Sequence, residues 1–298
     1  MMDWLHSVEG TEAGHQLAMI LALTAALLHA VFGALQKGAT YDPWTSRTAM
    51  DVAIFTMATP VALFVVPWPP LELWWVLLGM IAIQSSYKAL QGATYQRGAY
   101  TVVYPVVRGT GPLFTVLGAG LIFGETFTAP QWFGVGLLLA GLFGLSAYNM
   151  AKLTVDRATL VPALWLAVAT GMMVALYTTW NAYGIRRVEN PFTFLAWFFM
   201  LTSWDFPLAA ALRGKLRRPE PALIRLAVIG GLVAFGSFGS IMMATRLDSV
   251  GEAAILRETS TVFAALIGWL LLKESVGPRR LVLMSLIALG AVVVEFAG

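Results

Sequence analysis

Arg108 and Arg257 each sit inside a long apolar stretch of this 298-residue chain, 149 positions apart. Arginine cannot shed its charge, and its planar fork matches the two oxygens of a carboxylate or phosphonate. A charge at membrane depth costs about 2.5–3.5 kcal/mol on insertion scales, so it faces a cavity or a partner. The two arginines therefore read as a pair of anion-binding groups. The structural alternative neutralises each with a carboxylate such as Glu258 or Asp51, or lets it snorkel to a loop. Glu258 directly follows Arg257, and neighbouring helical side chains diverge by about 100°. It is therefore not the automatic partner of that arginine.

Other polar residues fall at helical spacing beside them. Gln84, Tyr87, Lys88, Gln91 and Tyr95 share one helix face, and a lipid-facing lysine flanked by two glutamines is disfavoured. Tyr104, Arg108, Gly111 and Thr115 share another, next to the run Arg108-Gly109-Thr110-Gly111-Pro112. Pro112 removes a backbone hydrogen bond, which predicts a helix break lining a cavity. His29 lies on a face with Gly33 and Gln36, and it titrates near neutral pH when unperturbed. Tyr177, Trp180 and Asn181 share a further face with Gly184, where an aromatic ring can stack on a substrate cation. His29, Asp51 and Glu258 are the candidates for ion coupling, and the two acids also for meeting a substrate amine. Glu125 and Glu274 fall at helix ends and read as terminators.

The elements that must carry these residues are membrane helices. Hydrophobic residues make up 58% of the chain and charged residues 12%, with mean hydropathy +0.75, against about 25% charge in soluble domains. A span needs about 20 apolar residues. That length places ten at 16–37, 47–66, 71–92, 98–123, 130–149, 160–183, 191–212, 222–245, 250–272 and 279–297. The expected fold is all-α, with ten transmembrane helices as two inverted five-helix repeats, 1–149 and 150–298. The duplication is visible in Arg97 and Arg246, Thr110 and Thr259, Phe114 and Phe263, Glu125 and Glu274, and Gly141 and Gly290, each pair at the same 149-residue offset. Five spans per unit is odd, so the second copy inserts upside down, the architecture of transporters with a site between the halves.

Several classes are excluded by composition. No cysteine is present, which removes disulfides, thiolate metal sites and Cys nucleophiles. His6, His15 and His29 form no ligand-spaced pair, so neither metal nor cofactor is expected. The net charge of +3 reflects loop residues that orient helices, not nucleic-acid affinity. No cleaved signal peptide is expected, since no basic n-region or A-x-A site precedes Gln16. The loops joining odd to even spans carry thirteen Lys and Arg, and the opposite face three, which predicts both termini outside. Gly134, Gly136, Ala140, Gly141 and Gly144 predict close helix packing by the fifth span, within the bundle or in a homodimer through the fifth and tenth helices.

The runs Leu121-Ile122-Phe123-Gly124-Glu125-Thr126 and Leu270-Leu271-Leu272-Lys273-Glu274-Ser275, each followed by a Gly-rich fifth helix, resemble the EamA-type branch of the drug/metabolite transporter superfamily. That resemblance implies a carrier of small metabolites such as amino acids, choline, nucleotide sugars or drugs. The stretch Tyr104 to Leu113 is similar to a subset associated with phosphonate utilisation. The family is generally described with cytoplasmic termini, which departs from the charge count here. The function expected is a secondary transporter of a small anionic or zwitterionic metabolite across a bacterial inner membrane, by alternating access. Arg108, Arg257, Lys88, Gln84, Tyr87, Gln91, Tyr104, Trp180, Tyr177 and Asn181 would line its substrate site. The alternatives are a carrier of a cationic or neutral compound with structural arginines and, further off, a lipid-modifying enzyme. The second lacks an acid cluster or a nucleophile–base pair at readable spacing.

Overall fold

The computed structural model describes residues 2–37, 40–98, 100–151, 157–214, 216, 218, 220–270 and 277–297. Among them there is no strand. The elements are α1 (Met2–Val8), α2 (Glu12–Lys37), α3 (Pro43–Phe64), α4 (Trp74–Arg97), α5 (Tyr100–Phe123), α6 (Ala129–Met150), α7 (Arg157–Arg186), α8 (Pro191–Thr202), α9 (Asp205–Leu212), α10 (Pro221–Leu247), α11 (Val250–Arg257), α12 (Ser260–Leu270) and α13 (Pro278–Phe296). Turn chemistry sets the starts. Asp42 accepts from Thr45 N ahead of Pro43, and Thr128 with Gln131 forms a capping box ahead of Pro130.

The fold is that of an all-α membrane protein. Among the described residues eight segments are long and apolar enough to cross a bilayer. The two expected spans outside that set are the helices α4 and α13. The polar stripe of α4 lowers its hydropathy, and α13 carries Arg279, Arg280 and Glu295 within 19 residues. Large apolar side chains point outward along the bundle, Leu121 at 89%, Phe64 at 83% and Trp165 at 70% exposure. Water would not tolerate such a surface, whereas hydrocarbon does.

Two expected spans are interrupted. The seventh divides into α8 and α9 at Ser203-Trp204. Pro207 explains this, because it lacks the N–H that would bond Ser203 O, and its ring clashes with that carbonyl. The ninth divides into α11 and α12 at Glu258-Thr259 without a proline. Here Thr261 N bonds Glu258 O and Val262 N bonds Thr259 O, a tight i to i−3 pattern that skips the carbonyl of Arg257. The break expected at Pro112 is corrected: α5 stays helical through Pro105 and Pro112. Thr110 and Thr115 hydroxyls donate to Val106 O at 2.7 Å and Gly111 O at 2.9 Å, which supports the wall of the helix around the prolines.

The helices of the two 149-residue units interleave. α2 lies along α10, α11 and α12, while α7 lies along α4 and α5. α6 and α13 pack most closely. A Cβ on Gly134 would sit 2.8 Å from Gly290 O, and one on Gly290 2.5 Å from Gly134 O. Gly141 likewise faces Leu283 O and Ile287. These glycines therefore pack within one chain. Gly136 meets nothing within 4 Å and Ala140 is exposed, so they are what remains for a homodimer contact.

Gly134→Val should lower the thermal midpoint, because backbone rather than a flexible side chain must yield, at a cost of about 1–3 kcal/mol or more. Gly136→Val should leave it unchanged. Equal midpoints for the two variants in detergent would contradict the glycine contact.

Candidate functional site

The lost helical bond at the α11–α12 break determines what surrounds it. Arg257 O, skipped by the backbone, accepts from Arg108 Nη2 at 3.3 Å. The same nitrogen donates to Ser260 Oγ at 2.5 Å, and Arg108 Nε lies 2.8 Å from Glu258 Oε2. One side chain from α5 thus donates to the carbonyl end of α11 and to the first residue of α12, and forms an ion pair with the carboxylate between them. The two arginines at the 149-residue offset meet here. Glu258 corresponds to Gly109 in the other unit, so only Arg108 gains an ion-pair partner. Arg257 is 5% exposed, lies over the Phe238 ring at 5.0 Å, and its Nε has no hydrogen-bond partner. Counting Arg108, Arg257 and Glu258, the site carries a net charge of +1.

Tyrosines and a histidine surround it. Arg108 lies 6.0 Å from the Tyr104 ring, and Tyr87 and Tyr177 fall within its electrostatic reach. Tyr87 and Tyr177 meet edge to face at 4.9 Å, and Gln91 Nε2 donates to Tyr87 Oη at 2.5 Å. His29 feels the charges of both arginines. Asn181 Oδ1 and Gln84 Nε2 are buried without partners. Trp180 is placed differently: its indole donates to Val76 O at 2.9 Å and its ring fills the space over Gly79, joining α7 to α4.

Lys88 and Asp51 belong to a second cluster, at the α8–α9 break. Lys88 Nζ donates to Thr202 O and to Asp205 Oδ1, each at 2.7 Å, and lies 3.6 Å from Asp51. Arg47 Nε lies 3.0 Å from Asp51, and Ser85 donates to Asp205 at 3.2 Å. Asp205 was not among the candidates read from the sequence, although a carboxylate inside the apolar run 191–212 was a legible signal. A cavity of about 590 Å³ opens just beyond this cluster, lined by Asp42, Thr45, Thr48, Gln96 and Arg213 among others. It lies on the face of the basic loops.

The opposite face is tied shut. Glu125 accepts from Ser249 Oγ at 2.9 Å, Val250 N at 2.9 Å and Gly251 N at 3.0 Å. A carboxylate from the α5–α6 turn thereby satisfies free amides at the positive end of α11. Arg186 stands 3.6 Å from Glu125 and donates to Thr245 O and Asp248 O. Arg246 binds Glu9 at 2.6 Å and the carbonyls of Ile185 and Val188. Glu125 thus joins two units beyond ending its helix, while its counterpart Glu274, with Leu271 to Ser275, lies outside the described residues.

Two outcomes are expected from these contacts. Glu258→Gln and Arg108→Gln should each destabilise by about 3–5 kcal/mol, since either leaves a buried charge uncompensated. The double variant should lose less than the sum, and additive losses in a thermal double-mutant cycle would show no coupling. Glu125→Ala should loosen the face bearing the termini. The chain has no cysteine, so maleimide labelling of Ala18→Cys, a buried position beside Asp248 and Ser249, should be faster when Glu125 is absent. Equal labelling rates would remove Glu125 as the tie.

Comparison with known proteins accords with this fold. The model of the EamA-like transporter family matches twice, over residues 16–147 and 161–296. An uncharacterized membrane protein of Bacillus subtilis, YvdS, is 31% identical over 75 residues, 25% of this chain and 65% of that relative. The match therefore spans just under two thirds of the relative's length. A solved crystal structure is similar over 94% of this chain and 99% of its own, with TM-score 0.76 and 19% identity, a likeness of fold alone. The doubled family match covers nearly the whole sequence, and the chain belongs to the EamA-like transporter family, whose members are integral membrane transporters of small molecules.

Proposed function

We propose that the chain is a secondary carrier of a small anionic or zwitterionic metabolite in a bacterial inner membrane, working by alternating access between units 1–149 and 150–298. One observation carries the substrate class. Arg257 is a buried guanidinium with an unpartnered Nε at a helix break, while its counterpart Arg108 is neutralised by Glu258. Buried polar groups in native proteins are hydrogen-bonded as a rule, so an exception calls for an occupant. A carboxylate or phosphonate oxygen suits this one, and it brings the net charge of the site to zero.

On this reading Arg257 takes the acid group and Arg108 holds the two halves of the broken helix. Tyr87, Tyr104, Tyr177 and Gln91 add hydrogen bonds, and His29 is the nearby proton carrier. Glu258 would meet a substrate amine only by loosening from Arg108. Lys88 and Asp51 act at the Asp205 cluster, where their ion pairs would rearrange as the basic-loop face opens and closes. The charge count of thirteen against three puts that face in the cytoplasm. A carrier needs no nucleophile and no resident cofactor, and the site residues are assigned none.

The test is thermal unfolding of the purified chain with carboxylates, amino acids, phosphonates and amines. A ligand at one hundred times its Kd adds about 2.7 kcal/mol to the folded state. Acids should stabilise the wild type, weakly stabilise Arg257→Lys, and leave Arg257→Gln unchanged. If amines or neutral compounds stabilise wild type and Arg257→Gln alike, the carrier takes cations or neutral molecules and its arginines are structural.

A further inference from the structure

His15, the neighbouring pair Asp248 and Glu252, and Glu295 come from three distant points of the sequence and meet on the closed face. His15 Nδ1 contacts Asp248 Oδ2, and its Nε2 lies 3.5 Å from Glu295 Oε1. One ligand-type atom from each of His15, Asp248 and Glu252 falls within 4.8 Å of the others. Asp248, Glu252 and Glu295 together line a small cavity of about 10 Å³, roughly the room a single water-sized occupant needs. We propose that His15, Asp248 and Glu252 bind a divalent transition-metal ion here, of the zinc or manganese class, with Glu295 orienting the histidine.

Glu295 provides the independent observation. Its side chain is 3% exposed, and neither carboxylate oxygen makes a hydrogen bond. A carboxylate is costly to bury in this condition. Metal-bound histidines almost always donate their second ring N–H to a carboxylate, carbonyl or water, which fixes the tautomer. With Nδ1 on the metal, His15 Nε2–H points at Glu295, and the orphaned oxygen gains its donor. Gln131 Nε2 plays the matching part for Glu252, donating to Oε1 at 2.7 Å and leaving the other oxygen for the ion. One imidazole with carboxylates suits zinc, manganese or cobalt. Ligands around tetrahedral zinc stand about 3.3 Å apart for bonds near 2 Å, within small rotations of the side chains from their present positions.

Charge favours the same occupant. Three carboxylates converge, and Arg186, which donates to Asp248 O at 2.6 Å, is the neighbouring cation, already shared with Glu125. His15 and Asp248 side chains are 35% and 30% exposed, so an ion can enter from water. The counterparts of His15, Asp248, Glu252 and Glu295 in the other units are Leu164, Ala99, Val103 and Ser146. The site is thus a property of one membrane face, and not of the ancestral repeat. A bound ion would join α2 to the α10–α11 junction and favour the state in which this face is closed.

The experiment is equilibrium dialysis of the full chain, purified without a histidine tag, against micromolar zinc and separately manganese and cobalt. Metal is counted by elemental analysis and thermal midpoints are read in parallel. One ion per chain and a raised midpoint are expected. His15→Ala and Glu252→Gln should abolish both, Glu295→Gln should weaken binding 10–100-fold, and His6→Ala should retain it. Zinc should also protect His15 from diethyl pyrocarbonate in the unaltered chain, read by mass spectrometry, which requires no variant to fold. Failure of all three metals to bind, undiminished binding by His15→Ala, or unprotected His15 with zinc bound elsewhere overturns the site. The first outcome would leave His15 as a protonated bridge between Asp248 and Glu295. None of these readouts depends on the transported substrate, so the carrier assignment and the metal site stand or fall separately.

Discussion

The guanidinium of Arg108 holds the centre of this molecule together. A helix that breaks inside a bilayer exposes backbone groups that hydrocarbon cannot satisfy. In the ninth expected span the break frees Arg257 O, and Arg108 reaches across from α5 to occupy it while pairing with Glu258. The freed carbonyl and the buried carboxylate are therefore met by one side chain from the other unit. In the other unit Pro112 withdraws the amide that would bond Arg108 O, the position equivalent to Arg257 O. Two different devices, a proline and a tight turn, loosen the same carbonyl in the two copies. Discontinuous helices at repeat interfaces are where transporters of this architecture bind substrate.

Around that centre the two membrane faces are built differently. On the side of the termini, carboxylates and arginines grip backbone groups: Glu125 on the amides of α11, Arg186 and Arg246 on carbonyls at the ends of α10 and α7. Such charge-assisted bonds are stronger than neutral ones. On the opposite side Lys88 bridges Asp205, Thr202 O and Asp51 at the α8–α9 break, beneath an open cavity. Ion pairs at helix breaks exchange partners more readily than a packed core can deform, because each has a few discrete arrangements. That difference would give the alternating carrier proposed above two faces able to open in turn.

Much of this was legible in the chain itself. Apolar length and turn residues placed the helices, and eight of the ten expected spans are long and apolar enough among the described residues to cross a bilayer, since a bilayer imposes one length on every crossing helix. The 149-residue offset singled out Arg108 and Arg257 as equivalent, and they do meet. The break at Pro207 had a sequence signal, because a proline withdraws the N–H that would bond Ser203 O, although α5 accommodates Pro105 and Pro112 without breaking. The break at Glu258 had no proline or glycine signal, only the run Thr259-Ser260-Thr261 of weaker helix formers, and the guanidinium from α5 bonds the carbonyl freed there.

The sequence by itself determined the solvent, the number of expected crossings and the repeat, because these follow from composition, length and periodicity, which are local. It also named the charges that hydrocarbon forces inward. Tertiary structure alone decided how those charges pair. Glu258 serves Arg108 and not its own neighbour, Asp51 belongs with Arg47, Lys88 and Asp205, and Trp180 glues α4 to α7. His15 and Glu295 lie 280 positions apart in the chain, and no spacing rule reaches that far. Pairing depends on which helices interleave, and α2 crossing to the second unit while α7 crosses to the first is a property of packing that no single segment contains.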